Sequence, residues 1–132
     1  LNTREMNTKN QSRMWFSVSQ IKTEALQRVI RRSRNWLEVE MLEILIGLMD
    51  GFELEEICLC VNDMIPYLIK SGYRISRTSI IKVLREEWNI EPVGNTHKYT
   101  RYTLSNDGSI TPVQAKGRYY RVEKNKLLKF DA

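Results

Sequence analysis

The 132-residue chain is 42% hydrophobic and 28% charged, which suits one domain with an extension and excludes a disordered tail. No apolar run reaches the roughly 18 residues needed to cross a bilayer, and the richest, from Met41 to Met49, is interrupted by Glu43. The net charge is +5, but the signs are segregated along the chain. Residues 1–34 hold eight basic and two acidic side chains, residues 35–68 none and eight, residues 69–96 five and three, and residues 97–132 eight and three. Such segregation implies a folded object with one positive side, suited to a polyanionic partner.

Residues 1–18 are predicted to be a flexible arm rich in Asn, Thr, Ser, Gln and Arg, with Trp15, Phe16 and Val18 as first anchors. Its first ten residues are polar and charged and do not read as a secretory leader. An opening on Leu1 fits a piece of a larger protein. Residues 19–34 are predicted to be a basic amphipathic helix capped by Ser19. Ile21, Ala25, Leu26, Val29 and Ile30 face one side, with Lys22, Arg28, Arg31 and Arg32 on the other. That helix suits DNA phosphates, a partner or an anionic membrane surface equally.

Asn35 followed by Glu38 resembles a capping box, and a strongly apolar helix should follow until Asp50-Gly51 stops it. Leu37, Met41, Ile44, Leu45 and Leu48 mark one face, and Leu42, Ile46 and Met49 a second. Such a helix must be covered on more than one side, either at the centre of this domain or in a dimer interface. A further helix is expected over residues 54–61. Glu53, Glu55 and Glu56 would sit at its N-terminus as a solvated face, or as a surface for a basic protein partner. On a helix, Cys58 and Cys60 would point about 200° apart. Two thiols are too few for a structural zinc site, so both are expected to be reduced and buried. Asn62-Asp63 looks like the next cap, with Pro66 in the first turn and Gly72 at the end.

The segment from Gly72 to Trp88 carries the strongest functional signal. A turn containing Ile75 leads to Ser76, a plausible N-cap. Ile80 and Leu84 then face the core at i, i+4, while Arg77, Thr78, Ser79 and Lys82 face outward and Arg85 follows. Short hydrogen-bonding residues and cations on the first turn of a helix are what a groove of ~12 Å width admits. The pattern Ile75-Ser76-Arg77-Thr78-Ser79-Ile80 with Leu84 resembles the turn and recognition helix of helix-turn-helix proteins, over residues 63–90. Trp88 and Trp36 are expected to be core plugs.

After Ile90 the chain becomes β-rich. Tyr99 to Leu104 and Arg118 to Val122 read as strands, Asn106-Asp107-Gly108 as a turn, and Ile110 to Val113 as a further extended stretch within a long loop over 105–116, where Pro112 is expected to break a strand. Three helices followed by strand, turn and strand resemble the winged helix-turn-helix superfamily. The resemblance implies a mainly α fold with a small antiparallel β-hairpin over residues 35–122, preceded by the helical extension and followed by a tail, 123–132. The tail is either a short helix folding back or a dimer contact. The resemblance also implies a basic wing carrying Lys98, Arg101, Lys116, Arg118 and Arg121 beside the helix at residues 77–88. Tyr99, Tyr102, Tyr119 and Tyr120 are expected to pack in the core rather than stack on bases.

Nothing points to catalysis. His97 is the only histidine and has no carboxylate or cysteine near it in sequence. The six glycines are scattered and form no phosphate loop. No metal or cofactor is expected. The expectation is an intracellular, homodimeric transcriptional regulator that reads double-stranded DNA. The alternatives are a DNA-docking domain of a larger replication, recombination or partition protein, and a winged helix that binds protein.

Overall fold

The computed structural model describes residues 24–32, 35–94 and 96–128. The expected arm, Ser19 and Lys22 lie outside these residues. Within them the chain mixes helices with two small antiparallel sheets. In chain order it forms α1 (Glu24–Arg32), α2 (Trp36–Gly51), β1 (Glu56–Leu59), α3 (Val61–Lys70) and α4 (Arg77–Lys82). A π-helical turn (Val83–Glu87) extends α4. Then come β2 (Pro92–Val93), β3 (Lys98–Leu104), β4 (Ile110–Lys116), β5 (Tyr119–Glu123) and α5 (Lys124–Leu128).

α2 is the centre of the molecule. Asn35 caps it, its side-chain oxygen accepting from the Leu37 amide at 3.0 Å. Met41, Leu42, Ile44, Leu45, Ile46, Leu48 and Met49 are all buried within this one chain, so both apolar faces are covered without a second copy. α1 contributes Leu26 and Val29 to this core, α3 contributes Met64 and Leu68, α4 contributes Ile80, the π turn contributes Leu84, and α5 contributes Leu127. The tail therefore folds back, and Lys124 Nζ fixes it with an ion pair to Asp50 at 2.6 Å. α2 continues through Gly51, one residue past the expected stop. Phe52 is the C-cap, and Glu53 rather than Gly51 takes the left-handed conformation, at φ 59°.

Glu38, expected in a capping box, turns its side chain inward. It is only 6% exposed, and its carboxylate accepts the indole proton of Trp88 at 2.6 Å. Trp88 is fully buried, as expected of a plug. The π-helical turn carries it there: the Trp88 amide donates to Val83 O at 3.0 Å, five residues back, where an α-helix would use four. Trp36, expected in the core, is instead 51% exposed and lies against the ring of Tyr73, with centroids 4.6 Å apart. As the first residue of α2, it projects from the end of a helix whose burial begins at Leu37.

The helix expected over 54–61 is a strand. Leu54, Ile57, Cys58 and Val61 fit a helical period, but Ile57 and Leu59 also alternate inward at a strand's period of two. Long-range pairing decides between them, because β1 lies antiparallel to β5 with Ile57 opposite Val122 and Leu59 opposite Tyr120. All four are buried. Cys58 and Cys60, two apart on an extended backbone, share a side rather than diverging. Both are free and partly exposed. α3 consequently starts at Val61 with Cys60 as N-cap, and Pro66 falls inside the helix rather than in its first turn.

The expected wing pairs differently too. β3 pairs with β4, Lys98 opposite Lys116 through Leu104 opposite Ile110, so the extended stretch at 110–113 continues through Pro112 as a strand to Lys116. Pro112 is tolerated because β4 is the outer strand of a two-stranded sheet. Asp107 and Gly108 close the hairpin, with Gly108 at φ 91° and the Gly108 amide donating to Ser105 O at 2.9 Å. The strand expected at 118–122 is β5, which lies between β1 and β2 in the other sheet.

The hairpin is strapped along α3. Arg101 donates through Nε and Nη2 to both carboxylate oxygens of Asp63, at 2.8 and 2.6 Å. Further along, the Tyr67 hydroxyl donates to Tyr102 O at 2.8 Å, and burial pushes that hydroxyl's pKa up. The Tyr102 ring packs on Phe52 with centroids 4.7 Å apart. Leu104, Ser105 and Asn106 meet Pro66, Ile69 and Lys70 in a shared groove.

Trp88→Phe strips a donor from a buried carboxylate and should lower stability by about 1–3 kcal/mol. The urea midpoint falls at unchanged m-value, and Glu38→Gln, which keeps an acceptor, loses less. Asp63→Ala removes two charge-assisted hydrogen bonds worth about 1.5–3 kcal/mol. Hydrogen exchange should then speed up across residues 98–116 while the amides of α2 stay protected. Equal acceleration in both places would mean that the strap is not local.

Candidate nucleic-acid interface

The turn after α3 is built by glycine. Gly72 takes φ 98°, and the Tyr73 amide returns to Leu68 O at 2.9 Å, closing the helix as its sequence suggests. Ser76 then caps α4, its hydroxyl accepting from the Ser79 amide at 3.3 Å. Ile80 and Leu84 are fully buried and Ile90 nearly so. The same three side chains anchor the helix from behind, as their spacing predicts.

With that face buried, the first turn points out. Arg77, Thr78, Ser79, Lys82 and Arg85 are all exposed. Arg77 Nε donates to the neutral Asn62 Oδ1 at 2.7 Å, which guides the side chain, and it makes no ion pair among the described residues. The Ser79 hydroxyl lies 3.2 Å from that of Ser76. Lys82 has no carboxylate within ion-pair distance among the described residues. Arg85 differs: it pairs with Glu91 at 3.1 Å. Thr78, Ile81, Lys82 and Arg85 line an open concavity whose acidic rim is Glu86 and Glu91. Arg74, in the turn before Ser76, is exposed and likewise without an acidic partner among the described residues. Its place in a positive cluster has no signal in the sequence, where it reads only as a turn residue.

The five cations expected on the wing divide into two groups. Arg101 is committed to Asp63, whose side chain is only 9% exposed. These hydrogen bonds raise the guanidinium pKa further, against the opposing effect of burial. Arg121, on β5, is held by Glu56 at 3.0 Å across the strand pair, with Glu123 at 3.9 Å. The Glu56 hydrogen bond likewise raises its pKa. Arg101 spends two of its donors on Asp63, whereas Arg121 remains 55% exposed. Lys98, Lys116 and Arg118 are exposed and carry no such bond among the described residues.

The tyrosines are structural, as expected of strand tyrosines. Tyr99, Tyr119 and Tyr120 are buried, and Tyr99 stacks on Tyr119 with centroids 4.4 Å apart. Burial, with a smaller contribution from Cys60, pushes the Tyr99 pKa up to about 12. Burial raises the Cys58 thiol pKa as well, which keeps it in its poorly nucleophilic form. His97 is exposed in the approach to β3.

The interface offers exposed cations and hydroxyl groups. Among the described residues no helix is long and apolar enough to cross a membrane. No family model, curated protein or solved structure matches the chain.

Proposed function

We propose that this chain is a winged helix-turn-helix module that binds double-stranded DNA, with α4 in the major groove, and that it acts in transcriptional regulation. The observation that carries the reading is the first turn of α4. It is capped, buried on one side by Ile80 and open on the other at Arg77, Thr78 and Ser79, with Lys82 exposed in the last turn.

The order of elements supports the same reading. A helix, a strand, two helices joined by a turn, and then strands forming a sheet in the order β1-β5-β2 are compatible with a winged helix. The β3–β4 hairpin stands in the position of the wing, between β2 and β5. In this reading Arg77 and Lys82 reach guanine edges or phosphates, and Thr78 and Ser79 bond to phosphates or to either kind of base pair.

Duplex selected from a random pool provides the probe. Arg77→Ala and Lys82→Ala should each weaken binding to the selected site by ~1–3 kcal/mol where the side chain makes a bidentate bond to a base. Unchanged affinity in both variants removes the role given to α4. Affinity for random duplex should fall steeply with salt; a flat response points to a protein partner instead.

A further inference from the structure

The chain's two cysteines share one side of an extended stretch. Cys58 lies in β1, and Cys60, the N-cap of α3, continues the extended backbone at φ −87° and ψ 123°. Leu59 between them turns into the core. Cβ atoms two residues apart on a strand are separated by about 6.6 Å. A disulfide needs about 3.5–4.5 Å, and both thiols are free. The spacing suits one ion held between two sulfurs instead. With metal–thiolate bonds of about 2.3 Å, a linear sulfur–metal–sulfur unit is about 4.6 Å long, which two thiols can span by leaning towards each other.

Cys58 and Cys60 line a small cavity together with Asp63, Met64, Tyr67 and Tyr102. Its volume is about 10 Å³, room for one water-sized body at most and for no organic molecule. The cavity's oxygens are spent: the Asp63 carboxylate on Arg101, and the Tyr67 hydroxyl on Tyr102 O. The sulfurs are not. The Cys60 side chain does not cap α3, and Met64, one turn into α3, brings a thioether that is only 1% exposed.

The surrounding charge also fits. Thiols that take an ion give up their protons, so two thiolates around a monovalent cation leave one negative charge. Arg121 stands opposite Cys58 in the ladder and favours its thiolate, against the effect of burial. The Tyr99 hydroxyl shares a hydrogen bond with the Cys60 sulfur, and Arg101 is near enough to feel the charge of Cys60. Cys60 also sits at the N-terminus of α3, the end of a helix that favours an anion.

We infer that Cys58 and Cys60 bind a soft monovalent cation of the copper(I) class, with the Met64 thioether as an auxiliary ligand. Thiolate and thioether donors select such ions. Among the described residues no three His, Cys, Asp or Glu side chains converge, so zinc, which takes four ligands, does not fit. The site is independent of the DNA-binding reading.

Anaerobic competition for copper(I) between the full chain and the chromogenic chelator bicinchoninate tests the assignment. The native chain should withdraw one equivalent. Cys58→Ser and Cys60→Ser should each lose it, while Met64→Leu, close to volume-conserving, should keep the stoichiometry and yield more copper to the chelator. Alkylation of the native chain by N-ethylmaleimide, read by mass spectrometry, avoids any question of variant folding. Both thiols are partly exposed, and one equivalent of copper(I) should protect both, whereas one equivalent of zinc should protect neither. The proposal is overturned if the native chain leaves all copper with the chelator, or binds it with either thiol still alkylated, or if either serine variant binds it as tightly as the native chain. Equal protection by zinc overturns the assignment to a soft ion. Native affinity in Met64→Leu overturns the role of the thioether and leaves the thiol pair standing.

Discussion

The candidate interface depends on two adjacent residues at the start of α3. Asn62 holds Arg77 of α4, and Asp63 holds Arg101 of the hairpin. One helical turn thereby touches both segments, while the hairpin, which shares no sheet with β1, β2 and β5, is held further by Tyr67 at Tyr102 O and by Tyr99 on Tyr119. The two bonds are unequal. Asp63 is largely buried and accepts two charge-assisted hydrogen bonds, an arrangement whose loss leaves a charge poorly solvated. The Arg77–Asn62 bond is exposed, so water competes for it at little loss. The hairpin is therefore strongly held, whereas Arg77 is guided but remains able to exchange Asn62 for an anionic acceptor.

Beneath that turn, α2 explains why the rest is rigid. A helix buried on more than one side gains apolar burial from α1, α3, α4 and α5 together, and it carries a buried carboxylate that Trp88 meets from the far end of the π turn. A buried charge needs its partners in place. Glu38 therefore ties the C-terminal end of the α4 segment to the central helix, while Ser76 defines its beginning. The outward turn of α4 is a consequence of both ends being fixed and of Ile80 and Leu84 being taken by the core.

The fold is legible in the sequence wherever the controlling interaction is local. Asn35 and Ser76 as caps, Gly72 as a terminator, the 106–108 turn and the inward set Ile80, Leu84 and Ile90 all depend on neighbours within about six residues, and each is found in place. Where the partner is distant, the pattern misleads. β1 has a helical spacing of apolar residues, and its strand identity comes only from pairing with β5, in the register of Glu56 with Glu123. With β1 read as a helix, β5 has no partner except the hairpin, and the extended stretch at 110–113 is left without one. The candidate site residues on α4 have the exposure their spacing predicts. On the hairpin and β5, side chains of the same type take different tasks, because the acids that claim Arg101 and Arg121 lie in α3 and β1.

That division bears on why the chain keeps its signs apart. The acidic stretch 35–68 does neutralise part of the basic C-terminal region: Asp50 takes Lys124, Glu56 takes Arg121, and Asp63 takes Arg101. If neutralisation were its whole purpose, the cations left over would be scattered. Instead Arg74 and Arg77 flank the cap of α4 and Lys82 ends it, and Lys98 and Lys116 stand opposite each other at one end of a hairpin where pairing disfavours them. Lys98, three residues from Arg101 on the same strand, lies on its other face, away from the acid that Arg101 holds. Leaving it uncompensated costs stability, and such a cost persists where the charge serves a surface rather than the fold.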